Sequence, residues 1–241
     1  MNLHNFVELC MCPAPLGNEH TAKQLIRSML PNGLEISEDV AGSAIVRKPG
    51  EKPGLTFFAS LSQPVVLVTG KKSDGAWELQ PLGTGKTLEP MNGWKVMDSG
   101  GAQAKLEVKD GALRLTEDRG VQIGSLLTRQ PDWTQDVLSV SCAGIEDRVG
   151  CWLLTELLRE MPDVKAEITC IFLAQEQHCT KVAELAMNET DAAVAIRLAS
   201  AKVNDINLTG APVNAGGGPV LKLRERYVST DGRLMDLERM A

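Results

Sequence analysis

The chain has 241 residues, 43% of them hydrophobic and 23% charged, with a formal net charge of -6 and a pI near 5.2. This balance excludes a largely disordered chain, and because no block of Lys and Arg stands apart, nucleic acid is excluded as a partner. No apolar run reaches the length of a membrane span, and the opening MNLHNFVELCMCPAPLG has neither a basic start nor a signal-like apolar stretch, so the expected compartment is the cytoplasm, with no membrane partner.

The first segment reads as helix, turn, helix. CPAPLG makes the break, Asn18 is placed as an N-cap, and Ala22, Leu25, Ile26, Met29 and Leu30 recur at helical spacing until Pro31-Asn32-Gly33. Strand-like runs follow at 43–47 (SAIVR), 55–59 (LTFFA) and 65–70 (VVLVTG), separated by Gly, Pro and Lys. Across 63–136 the texture changes to turn-rich stretches such as KKSDGAW, PMNGW and VKDGALRL, which predict a small inserted β domain. After it come a strand at 137–142, a helix at 149–161, a strand at 168–174, a helix at 180–187 and a strand at 192–198. This alternation, with ITCIFLA apolar throughout, predicts an α/β domain of residues 1–62 and 137–241 whose strands are buried on both faces. NAGGGPVLKL reads as a glycine loop entering one more strand, and Leu234, Leu237 and Met240 have the spacing of a final helix.

Cys10, Cys12, Cys142, Cys151, Cys170 and Cys179 form no CxxC pair and read as reduced core thiols. GTGKT at 83–87 resembles the tail of a phosphate-binding loop. Gln80 stands where that pattern needs its first glycine and Pro90 follows where it needs a helix, so a hairpin loop is expected.

Two polar clusters carry candidate chemistry. In GIEDRVGCWLLTELLREM, Glu146, Asp147 and Arg148 sit directly before an apolar helical run. Acids there satisfy a helix dipole, and the same place lies at a strand's carboxyl end, where ligand crevices form. In FLAQEQHCT, Glu176 and His178 leave a buried strand with the donor types of a general base or a metal ligand.

Together these fragments resemble the glutamyl and deblocking aminopeptidase family of co-catalytic metallopeptidases, which includes the tetrahedral aminopeptidases and the cellulase-M proteins. CPAPLGNEH looks like the family's Pro-Ser-Gly-Tyr-Glu-like start, EDVAGSAIVRKPG like its Asp-x-x-Gly-Asn strand, GIEDRVGCWLLTELL like its Asp-Asp-Arg helix, FLAQEQHC like its Gln-Glu-Glu turn and GGGPVL like its Gly-Lys-Gly-Pro strand. LTFFASLSQPVVLVTG stands where the family has Ala-His-Met-Asp.

The resemblance implies a three-layer, peptidase-like (phosphorylase/hydrolase-type) α/β domain with a mixed sheet, interrupted by a small β-barrel-like dimerisation domain. It also implies two divalent metals sharing an activated water, with a glutamate as base. Carried over by residue, the base falls on Glu176, which is retained. The ligand positions fall on Ser60, Glu146, Gln177 and Arg197, and the acid that orients the first ligand falls on Ser62. A hydroxyl, an amide and a guanidinium are poor substitutes for the donors that two dehydrated dications need, so no metal is expected, and Arg197 is expected to pair with Glu146 or Glu176. The expectation is therefore a non-catalytic relative, at least a dimer through the β domain, whose cleft holds Glu146, Asp147, Arg148, Glu176, His178 and Arg197. Its partner would be an active paralogue or a peptide or amino-acid ligand. The rival reading keeps a metallo-aminopeptidase, with Glu146, Asp147, Glu176 and His178 gathering one zinc, cobalt or manganese ion.

Overall fold

The computed structural model describes residues 3–83, 88–201, 214, 216–220, 222, 230–234 and 236. The chain packs as two units, Met1–Ala199 and Ser200–Ala241.

The first unit opens with two helices, α1 (Leu3–Met11) and α2 (His20–Met29). Glu19, and not Asn18, stands at the N-cap position of α2, without a side-chain capping bond; the Asn18 amide donates instead to Ser99 Oγ at 2.9 Å. The strands β1 (Glu35–Glu38), β2 (Ala44–Lys48) and β3 (Glu51–Ser60) follow. The next stretch holds β4 (Val65–Lys71), β5 (Trp77–Leu82), β6 (Lys95–Met97), β7 (Gln103–Lys109), β8 (Ala112–Arg119) and β9 (Leu126–Arg129). After a two-strand hairpin, β10 (Thr134–Gln135) and β11 (Val140–Ser141), the unit ends with α3 (Ile145–Glu160), β12 (Ala166–Leu173), α4 (Lys181–Met187) and β13 (Ala192–Arg197).

The larger core surrounds a mixed sheet in the order β1-β2-β12-β3-β13, antiparallel from β1 to β12 and parallel from β12 through β3 to β13. The central strand, AEITCIFL, explains its own placement: apolar and β-branched residues suit a pleated strand, and seven of its eight residues are buried because helices cover both sides. Ile168, Cys170 and Phe172 face α1, α2 and α3, packing with Leu9, Ile26 and Leu154. Ile171 and Leu173 face the opposite way, against Ala186 of α4. Each large aliphatic side chain buried in this way stabilises the fold by about 1.5–3 kcal/mol relative to exposure.

The second sheet is antiparallel in the order β5-β4-β9-β6-β7-β8 and nearly closes on itself, with Trp77 of β5 donating its indole N–H to Asp118 of β8. Its interior is aliphatic, with Val66, Val68, Val96, Leu106 and Leu127 buried and Trp77 and Trp94 packed around them.

The strand expected at 137–142 belongs to neither sheet. Asp136 Oδ1 accepts from the N–H groups of Leu138 and Ser139 and Oδ2 accepts from Ser139 Oγ, so a side-chain-stabilised turn interrupts the apolar run. The result is the small β10–β11 hairpin with Val137 and Leu138 97% and 95% exposed at its tip. Cys179 also departs from expectation, lying exposed while Cys10, Cys142, Cys151 and Cys170 are buried. In the second unit residues 232–234 and 236 are helical. The 84–87 loop, Leu237 and Met240 lie outside the described residues, and Pro219, Val220 and Lys222, the described part of the stretch expected to be a strand after the glycine run, are not in a strand.

Candidate functional site

The parallel strands β3, β12 and β13 deliver Ser60, the 174–177 loop and Arg197 to one end of the mixed sheet, because Ser60 is in register with Leu173 and Phe58 with Arg197. This is the carboxyl end of the parallel strands, where open α/β sheets form crevices. Gln175 carries the chain through the turn in the left-handed region, at φ 57°, and several groups hold it there. Its N–H donates to Glu19 Oε1 at 3.1 Å and to Ser62 Oγ, and its side-chain amide donates to Ala41 O at 3.0 Å. The Ser62 hydroxyl in turn donates to Glu19 Oε1 at 2.7 Å. Glu19 is a hub that the sequence reading did not single out; its signal was only its place in the family-like CPAPLGNEH opening.

With the loop fixed, Glu176 is 8% exposed and Arg197 Nη2 donates to its Oε1 at 2.8 Å. Next to this pair, Gln177 Nε2 donates to both carboxylate oxygens of Asp147, at 3.0 and 3.1 Å. Burial, chiefly, and then the charges of Glu146 and Glu176 push the Asp147 carboxyl up to about 7, against the pull of Arg148 and the Gln177 amide.

The EDR triplet lies inside α3 and not in front of it, since the helix begins at Ile145 after Gly144 in the left-handed region at φ 71°. Helical geometry then sends the three side chains in different directions. Glu146 is exposed, Asp147 meets Gln177, and Arg148 is completely buried, donating to Leu61 O at 2.6 Å and Cys12 O at 3.2 Å. Among the described residues no strand of the five-stranded sheet leads into this helix; the β10–β11 hairpin precedes it. His178 is exposed. Of the expected cleft residues, the structure therefore gathers Asp147, Glu176 and Arg197, together with Gln177, turns Arg148 into the core and leaves Glu146 and His178 on the surface. Ser60 is 5% exposed and its hydroxyl has no partner among the described residues.

The donor set can be compared with the two divalent metals that the resemblance implies. Ser60 offers a neutral hydroxyl, Glu146 faces outward, the Gln177 amide is engaged with Asp147, and Arg197 puts a fixed positive charge on Glu176. Among the described residues no three His, Cys, Asp or Glu side chains are grouped so as to hold a metal ion. Two dications need several anionic or imidazole donors, and a guanidinium among them is repulsive, so these residues do not fit a dinuclear centre.

Fold and site together define an aminopeptidase-like α/β protein with a mixed sheet and a nearly closed second sheet. The family model for M42 glutamyl aminopeptidases matches residues 108–241, more than half of the chain, and the chain belongs to that family. A protein of Acetivibrio thermocellus that carries an aminopeptidase name is 24% identical over 237 residues, covering 88% of this chain and 70% of its own length. Among solved structures, PhTET1-12s, a dodecamer, superposes with a TM-score of 0.81 at 17% identity, covering 100% of this chain and 80% of its own. The TET aminopeptidase of the marine sediment archaeon Thaumarchaeota archaeon SCGC AB-539-E09 gives a TM-score of 0.79 at 15% identity, covering 90% and 70%.

Proposed function

We propose that this protein is a metal-free, non-catalytic M42 relative that serves in binding, regulation or oligomer assembly in the cytoplasm. The observation that carries the reading is the 2.8 Å pair between Arg197 and Glu176. Glu176 holds the family's general-base position, and a base whose Oε1 is paired with a guanidinium is a poorer proton acceptor. A cation supplied by the chain does permanently, and without dehydration cost to a metal ion, the charge balancing that the family assigns to its metals. In this reading residues 1–62 and 137–241 form the peptidase-like body and 63–136 an inserted module. The module provides a homo-oligomeric contact, supported by the assembly of the structural relatives.

Elemental analysis of the purified protein after incubation with zinc, cobalt or manganese, run beside hydrolysis of aminoacyl-nitroanilides, tests the reading. The expected result is less than stoichiometric metal and no turnover. Two bound metals per chain together with nitroaniline release would overturn it. The neighbouring Asp147–Gln177 contact and the Arg197 guanidinium remain suited to a zwitterionic amino acid or dipeptide, which a thermal-shift panel would reveal as stabilisation rising with ligand concentration.

A further inference from the structure

We infer that Cys10 and Cys142 form a redox-active dithiol that closes to an intramolecular disulfide under peroxide. The two cysteines are 132 positions apart, yet they meet in one apolar cluster with Phe6, Trp133 and Trp152. The Cys142 thiol donates to Cys10 O at 3.5 Å, which sets it against the turn of α1 that carries Cys10. Cysteines whose segments already touch can be bridged with less backbone movement than distant ones. The other cysteines are placed differently: Cys151 Sγ donates to Ser60 O at 3.2 Å, Cys12 Sγ lies 3.8 Å from Pro13 O, and Cys179 is exposed.

At rest the pair is protected. Burial, chiefly, pushes the Cys10 thiol up to about 12, so the reactive thiolate is scarce at neutral pH. Access comes through α1, a nine-residue helix near the chain start whose buried side chains among the described residues are Phe6, Leu9 and Cys10. Segments with so few buried apolar contacts open at lower cost than the core.

When α1 opens, one cysteine thiolate attacks an oxygen of hydrogen peroxide. The O–O bond breaks, leaving a sulfenic acid and hydroxide. As α1 closes, the second thiol attacks that sulfur; the S–S bond forms, the S–O bond breaks, and the hydroxyl leaves with the thiol proton as water. In total, two thiols and one peroxide give one disulfide and two waters. The bond staples α1 to the segment just before α3, beside the point where Arg148 donates to Cys12 O and next to the turn that presents Asp147. It does not depend on whether the cleft turns over substrate.

The test treats the folded full-length protein with hydrogen peroxide, blocks the remaining thiols with iodoacetamide and maps peptides without reduction. The expected result is a peptide joining Cys10 to Cys142, with both thiols lost together and recovered by dithiothreitol, and with a higher Tm in the oxidised form. The link should persist in Cys12→Ser and vanish in Cys142→Ser. Recovery of Cys10 and Cys142 as separately alkylated peptides while Cys179 is oxidised would overturn the inference. So would a partner other than Cys142 for Cys10, or a link that forms only after denaturation.

Discussion

Asp147 and Arg148 are adjacent in sequence and opposite in situation. Asp147 is raised from the ordinary 3.8 to about 7, so between those values the folded protein holds a proton that the unfolded chain has released. Stability from this group is therefore fully present below about pH 4 and is lost as pH rises toward 7, the reverse of a salt-bridged carboxylate. Asp147→Asn removes the penalty while keeping an acceptor for Gln177. Urea titrations should find it about 2 kcal/mol more stable than wild type at pH 8 and equal to it near pH 4. A difference that does not change with pH would refute this account. Arg148 has no exposed surface, and its charge is met by two backbone carbonyls, with Nε left without a partner among the described residues. Arg148→Met should cost about 2–4 kcal/mol in urea unfolding, because both carbonyls lose their donor in a buried place.

At the scale of elements, α3 lies unusually close to β3. A side chain at Gly150 would place its Cβ 2.9 Å from Ala59 Cβ and 3.0 Å from Leu198 O. Alanine elsewhere in a helix gains about 1 kcal/mol over glycine, but here the overlap involves backbone and outweighs that gain. Gly150→Ala should lower the denaturation midpoint by about 1–3 kcal/mol in stability, and an unchanged or raised midpoint would show that the helix can shift away. The same element shows what sequence makes legible. The apolar period of α3 and the unbroken run of β12 were readable because burial forces those patterns wherever they occur. The helix start was not, since Gly144 in the left-handed region admits Ile145, Glu146 and Asp147 to the first turn. The 137–142 run was misread because the local bonds of Asp136 outcompete strand propensity, and no periodicity rule registers a side chain binding its own turn.

For the whole molecule, the mixed sheet and the near-closed second sheet agree with the expected fold class, and the M42 relationship with the motif resemblance. The site was only partly legible. Residue identities pointed to Glu176, and the family resemblance to Gln177 and Arg197. That Asp147, and not Glu146, turns toward Gln177 depends on helix rotation, which one residue of register decides. Self-association belongs to this scale too: sedimentation velocity at micromolar concentration should give a dimer or larger species, and a lone monomer would remove the assembly part of the proposed function.

The chain leaves the five-stranded sheet at Ser60 and comes back from the six-stranded one after Arg129, and these crossings lie side by side. Val65 is the register partner of Thr128, whose hydroxyl donates to Pro64 O at 3.1 Å. A cassette whose two ends are neighbours can be swapped or shortened without stretching its host. Replacing 65–128 with a brief turn should leave a protein that still melts cooperatively in urea, and loss of the cooperative transition would show that the six-stranded sheet is part of the host's own core.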